Sequence, residues 1–150
     1  MTQASALDPL NRCYDKLIAL CDDLELVADC LPDRAPPALC QRLSCEVVST
    51  LMRAHLCEEE LLLPLLAGSP RPELRHLAGR LRKEHEFDSG VALEVEELLA
   101  SLAIGRATLS PDAMGYMLRS FFESMRRHIR SEQDLLVLIN DITPSSGHLH

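Results

Sequence analysis

The chain has no tryptophan, and its aromatic content is 3%. So few large rings argue against a sandwich or barrel and for helices packed through Leu and Ala. No Cys-x-x-Cys occurs, which excludes a zinc knuckle and a thioredoxin-type motif. No Lys/Arg cluster is interleaved with aromatics, and the net charge is −8, so nucleic-acid binding is not expected. The most apolar segment, Leu61 to Ala67, is too short to span a bilayer, so no membrane association is expected. The stretch MTQASALDPLNR has no basic region leading into an apolar run. The expectation is a soluble cytoplasmic protein with reduced, mostly buried thiols.

What is present is helical. At 150 residues the chain is long enough for one domain with a real core, and 47% of it is hydrophobic. Prolines sit where helices begin, at positions where a missing N–H costs least. Asp8-Pro9 opens a helix over about 8–30, and Pro36-Pro37 one over 37–67. Pro72 opens a third over 72–102, and Ser110-Pro111 a fourth over 111–141. Pro64 should kink or end the second helix, and 143–150 reads as a loose tail. Short connections between four such helices predict an all-α, up-down-up-down antiparallel four-helix bundle.

Polar residues interrupt the inward stripes at one level. The second helix reads Val47, Leu51, His55, Glu59, Leu62, Leu66, and the fourth Phe121, Met125, His128, Glu132, Leu135, Ile139. The third reads Leu77, Leu81, His85, Ala92, Leu99, and the first Leu10, Tyr14, Leu17, Cys21, Leu24, Ala28. His55/Glu59 and His128/Glu132 share the form His-x-x-x-Glu. Residues four apart on a helix lie about 6 Å apart along its axis, so an imidazole and a carboxylate can converge on one metal. Turns centred near 34, 70 and 107 bring Tyr14, His55, His85 and His128 to one height. An unpaired carboxylate in a core costs several kcal/mol, which a metal offsets. Facing pairs with a third His between them describe a carboxylate-bridged dinuclear centre. Glu58, Glu60 and Glu84 flank these positions and read as surface charges or outer hydrogen-bond partners.

All six cysteines lie at or before position 57. Antiparallel heights set Cys13 against Cys57, Cys21 against Cys45 and Cys30 against Cys40. Small packing residues are the ordinary reading, and thiol oxidation at Cys13 and Cys57 is the sharper one.

The segments MRAHLCEEELLLPLL, KEHEFD and MGYMLRSFFESMRRHIRSEQDLL resemble motifs of the hemerythrin-like (HHE cation-binding) family over roughly 8–140. The resemblance implies two non-haem iron ions, with His55, His85 and His128 as terminal ligands and Glu59 and Glu132 as bridging carboxylates. Tyr14 stands where the family has a first-helix His, and a phenolate there would favour ferric iron. The oxygen carriers have a His-x-x-x-His on the third helix, but here His85 has Leu81 before it and Ser89 after it. The expected function is therefore sensing of, or reaction with, O2, NO or peroxide, not reversible oxygen carriage. The alternatives are a metal-holding module without turnover, and a thiol-based regulator with a partial site and a basic protein partner.

Overall fold

The computed structural model describes residues 6–147, with side chains described through Ile139. Its helices are α1 (Asp8–Cys30), α2 (Pro37–Cys57), α3 (Leu63–Ala67), α4 (Pro72–Ala103) and α5 (Pro111–Gly147). A π-helical turn, Glu58–Leu62, joins α2 to α3, so these segments form one long, interrupted rod. α1 packs against α2 and α5, α2 packs against α4, and α4 closes the ring against α5. The fold is a four-helix bundle, with no strand among the described residues.

Local chemistry sets the boundaries. Proline occupies the first turn of α1, α2, α3 and α4. At the start of α5 the Ala113 N–H donates to Ser110 Oγ at 3.1 Å, capping a helix opened by Pro111. At the end of α4, Gly105 adopts φ 70°. The Gly105 N–H donates to Leu102 O and the Arg106 N–H to Ser101 O, a Schellman closure that needs a left-handed residue at this position. α5 runs to Gly147 instead of ending near Asp141, so the expected tail from 143 is helical up to that point and 148–150 lie outside the described residues.

Pro64 explains the break between α2 and α3. It has no N–H for the ladder, and its ring would crowd the carbonyl four residues back. The chain widens one turn ahead of it, where the Leu63 N–H donates to Glu58 O, five residues back. The wide turn also keeps the apolar face aligned. Buried positions Ala54, Glu58, Leu62 and Leu66 recur every four residues. In an ideal α-helix each such step rotates the face by about 40°, and a π turn takes up that drift.

The core stripes follow a three-four alternation throughout. α1 buries Leu10, Tyr14, Leu17, Cys21, Leu24 and Ala28. α4 buries Ala78, Leu81, His85, Asp88, Ala92 and Val95, and α5 contributes Phe121, Met125, Ile129, Glu132 and Leu136. Ion pairs outside the core join Arg126 to Asp22 and Glu25, Arg119 to Asp29, and Arg42 to Asp23. They are largely exposed and add little to stability.

Candidate metal centre

Polar side chains meet midway along the bundle, surrounded by the apolar layers on either side. Each comes from a core stripe or its edge: Tyr14 from α1, His55 from α2, Glu58 from the π turn, His85 and Asp88 from α4, and His128 and Glu132 from α5. Between them is a cavity of about 20 Å³, also lined by Leu17, Leu51, Met125 and Ile129. That is room for one water-sized particle and not for an organic molecule.

On one side, donor atoms of His55, Glu58 and His85 all lie within 4.8 Å of one another, and all three residues are buried. His85 Nε2 is 3.0 Å from Glu58 Oε1. The His55 and His85 rings stack at 4.0 Å between centroids and 16° between planes. Burial and the neighbouring His85 push His55 down to about 4, so its imidazole is neutral at physiological pH and its lone pair is available. His85 Nδ1 is buried without any hydrogen-bond partner. A buried nitrogen left in that condition costs free energy unless something else satisfies it.

On the other side, His128 Nδ1 lies 3.3 Å from Asp88 Oδ2. Asp88 is buried, and its carboxylate holds His128 above the ordinary imidazole value. The two sides join at Tyr14, whose hydroxyl lies 2.9 Å from Glu58 Oε2 and 2.8 Å from Glu132 Oε2. One phenol proton can serve only one of these carboxylates, so without a cation a second proton must reside in the Tyr14–Glu58–Glu132 group. Burial, followed by the bond to and charge of Glu58, pushes Glu132 up to about 9. Burial raises Glu58 as well, and burial beside both carboxylates pushes the Tyr14 phenol upward. A cation placed here would displace protons and relieve the clustering of acids.

Of the residues expected from the sequence, Tyr14, His55, His85, His128 and Glu132 meet at this cluster. Glu59 does not enter it. Its side chain is 50% exposed, with Oε1 3.7 Å from His85 Nδ1 at the outer edge. Glu58, expected outside, is 3% exposed and takes the interior place. The reason is angular. The α2 stripe runs through Leu51 and Ala54 to Glu58, leaving His55 on its edge and Glu59 beyond it. Asp88 was missed although Leu81-His85-Asp88-Ala92 keeps the three-four spacing, which was the available signal. Glu84 is half-buried and lines the cavity, with Arg80 4.0 Å away on the outside. His76 is exposed, and His148 and His150 lie outside the described residues.

Two surface grooves approach the cluster. One of about 630 Å³ lies between α2 and α4, with His55 and His85 among its lining residues and Arg53 and Arg82 beside them. Another of about 340 Å³ lies between α4 and α5, lined by Leu77, Leu81, Leu135 and Leu138 and reaching His128 and Glu132. Cys13 and Cys57 sit one residue before Tyr14 and Glu58, with their sulfurs 3.0 Å apart.

Three imidazoles, several carboxylates and a phenol, with no thiol among the cavity-lining residues, are a donor set suited to a hard or borderline cation such as iron. The orphaned His85 Nδ1 and the surplus of buried acid fit such an ion. No helix among the described residues is long and apolar enough to cross a membrane. Comparison with curated proteins and with solved structures gave no match. The family model described as the hemerythrin HHE cation binding domain matches residues 6–137. With that match across most of the bundle and a His/Glu cluster at its centre, the chain belongs to the hemerythrin HHE cation binding domain family.

Proposed function

We propose that the protein is a non-haem di-iron protein that senses or reacts with O2, NO or peroxide. The observation supporting this most directly is the buried convergence of His55, Glu58 and His85, continued through Tyr14 into Glu132, Asp88 and His128. His55, Glu58 and His85 would hold one iron, and Asp88, His128 and Glu132 the other. Glu58 and Glu132, both in contact with Tyr14, would be the carboxylates common to the two halves. Bound iron would supply Lewis acidity and one-electron redox chemistry.

The protein's own residues do the rest. Glu59 stands outside His85, its Oε1 3.7 Å from Nδ1 and beyond hydrogen-bond reach. Tyr14 holds the two carboxylates and is available as a phenolate ligand once a cation lowers its proton affinity. Leu17, Leu51, Met125 and Ile129 keep bulk water out of the centre. The 20 Å³ interior leaves no room for an organic substrate. Three imidazoles cannot supply the five-His set of the oxygen carriers, so reversible oxygen transport is not the role proposed.

A second reading, a cation-holding module without turnover, is favoured by the same small interior. It shares the metal and differs in showing no rate above that of free iron. Metal content and the visible spectrum after growth in iron-supplemented medium test the proposal. About two irons per chain with ferric charge-transfer absorption are expected. A broad phenolate band lost in Tyr14→Phe would place Tyr14 on the metal. No bound metal, and no anaerobic uptake of ferrous iron, would overturn the proposal.

A further inference from the structure

Cys13 and Cys57 are the two thiols that touch among the described residues. Cys13 is on α1 and Cys57 ends α2, with their sulfurs 3.0 Å apart. Of the other cross-helix pairs expected by height, Cys21 is buried beside Arg126 and exposed Cys45 faces Gln41 on its own helix, while Cys30 and Cys40 are neighbours without a sulfur–sulfur hydrogen bond. A disulfide has a sulfur separation of about 2.05 Å, so closing this one requires an approach of about 1 Å. Helices in a packed seam can supply that through side-chain rotation. The sulfurs are also reachable: Cys57 is only half-buried, although Cys13 beneath it is 8% exposed.

We propose that Cys13 and Cys57 form a reversible disulfide, a redox site distinct from the metal cluster that ties α1 to α2 one residue from Tyr14 and Glu58. The oxidant is a small-molecule disulfide of the glutathione type. Burial and the contact with Cys13 push the Cys57 thiol up to about 11, so attack is slow at neutral pH and quickens as pH rises. The Cys57 thiolate attacks one sulfur of the small disulfide, forming a mixed disulfide and releasing the first small thiol. The Cys13 thiolate then attacks the Cys57 sulfur and releases the second. Two protein thiols are oxidised to one disulfide, and one small disulfide is reduced to two thiols. The closed bond spans 44 positions and joins the residues that precede Tyr14 and Glu58, themselves in contact across the same seam. Reduction returns freedom to that seam, and oxidation fixes the relative height of the two helices.

The test equilibrates the full chain in glutathione buffers of graded ratio, quenches with an alkylating agent, and maps peptides by mass. A Cys13–Cys57 linked peptide, with an intact mass lower by two hydrogens and full reversal by dithiothreitol, is expected. Thermal unfolding should rise on oxidation by on the order of 10 °C, and Cys57→Ser should lose that rise. Alkylated Cys13 and Cys57 at every ratio, or glutathione held on Cys57 without closure, would overturn the proposal. The linkage is read on protein stripped of metal. Its failure therefore leaves the iron reading standing, and failure of metal uptake leaves the disulfide standing.

Discussion

The two halves of the metal cluster are built differently. His55, Glu58 and His85 come from the tightly packed α2–α4 seam, are each below a tenth exposed, and have donor atoms within 4.8 Å of one another. Asp88, His128 and Glu132 come from the α4–α5 seam, which has a 340 Å³ groove at its surface, and the His128 side chain is 34% exposed. The first half has the more tightly converged donor atoms, beneath the 630 Å³ groove between α2 and α4. The second is the more exposed of the two, and the groove above it ends at His128 and Glu132.

The largest expected effect breaks the first half. His85→Ala should lower metal affinity by at least about 100-fold, since a core ligand should cost no less than an outer-shell partner. His128→Ala should cost less, roughly 10-fold to 100-fold, and leave one metal per chain in place of two. Isothermal titration with ferrous or cobaltous ion would rank the two. Equal losses would show that the halves are not distinct.

The next effect is in pH. Glu132, raised to about 9 from 4.5, stabilises the metal-free fold fully below the lower value, and that contribution is lost as pH rises toward the higher. His128, also raised, acts in the same direction. His55, lowered to about 4 from 6.5, acts oppositely but only below 6.5. The urea midpoint of metal-free protein should therefore fall between about pH 7 and pH 9. Metal-loaded protein should show no such fall, because the cation replaces the shared proton.

The smallest effect concerns the join between the halves. Tyr14→Phe removes the hydroxyl that contacts both Glu58 and Glu132. It should cost the metal-free protein about 1–3 kcal/mol, the usual penalty for buried polar groups left unpaired. Equilibrium denaturation reads it, and an unchanged midpoint would show that Tyr14 is only packing.

Much of this was legible from residue spacing. Prolines at helix starts gave the four rods, because proline's missing N–H restricts where it can stand. Tyr14, His55, His85, His128 and Glu132 were found because polar residues on apolar stripes are costly and few. Glu58 and Asp88 were harder to see. Three successive glutamates, 58 to 60, leave the inward one undecided by composition, and the His-x-x-x-Glu spacing favours the wrong one. The face is set by where the stripe through Leu51 and Ala54 arrives, and by a π turn that Pro64 imposes beyond it. Asp88 is hidden in a run of charges, and only the strict three-four spacing from Leu81 to Val95 marks it as interior.

The interior place of Glu58 is the claim on which the centre rests. The most direct test is iron content per chain in Glu58→Gln beside Glu59→Gln, each checked for native helicity. The structure predicts that Glu58→Gln loses iron while Glu59→Gln keeps it within a few fold. Iron lost from Glu59→Gln and retained by Glu58→Gln would contradict the account.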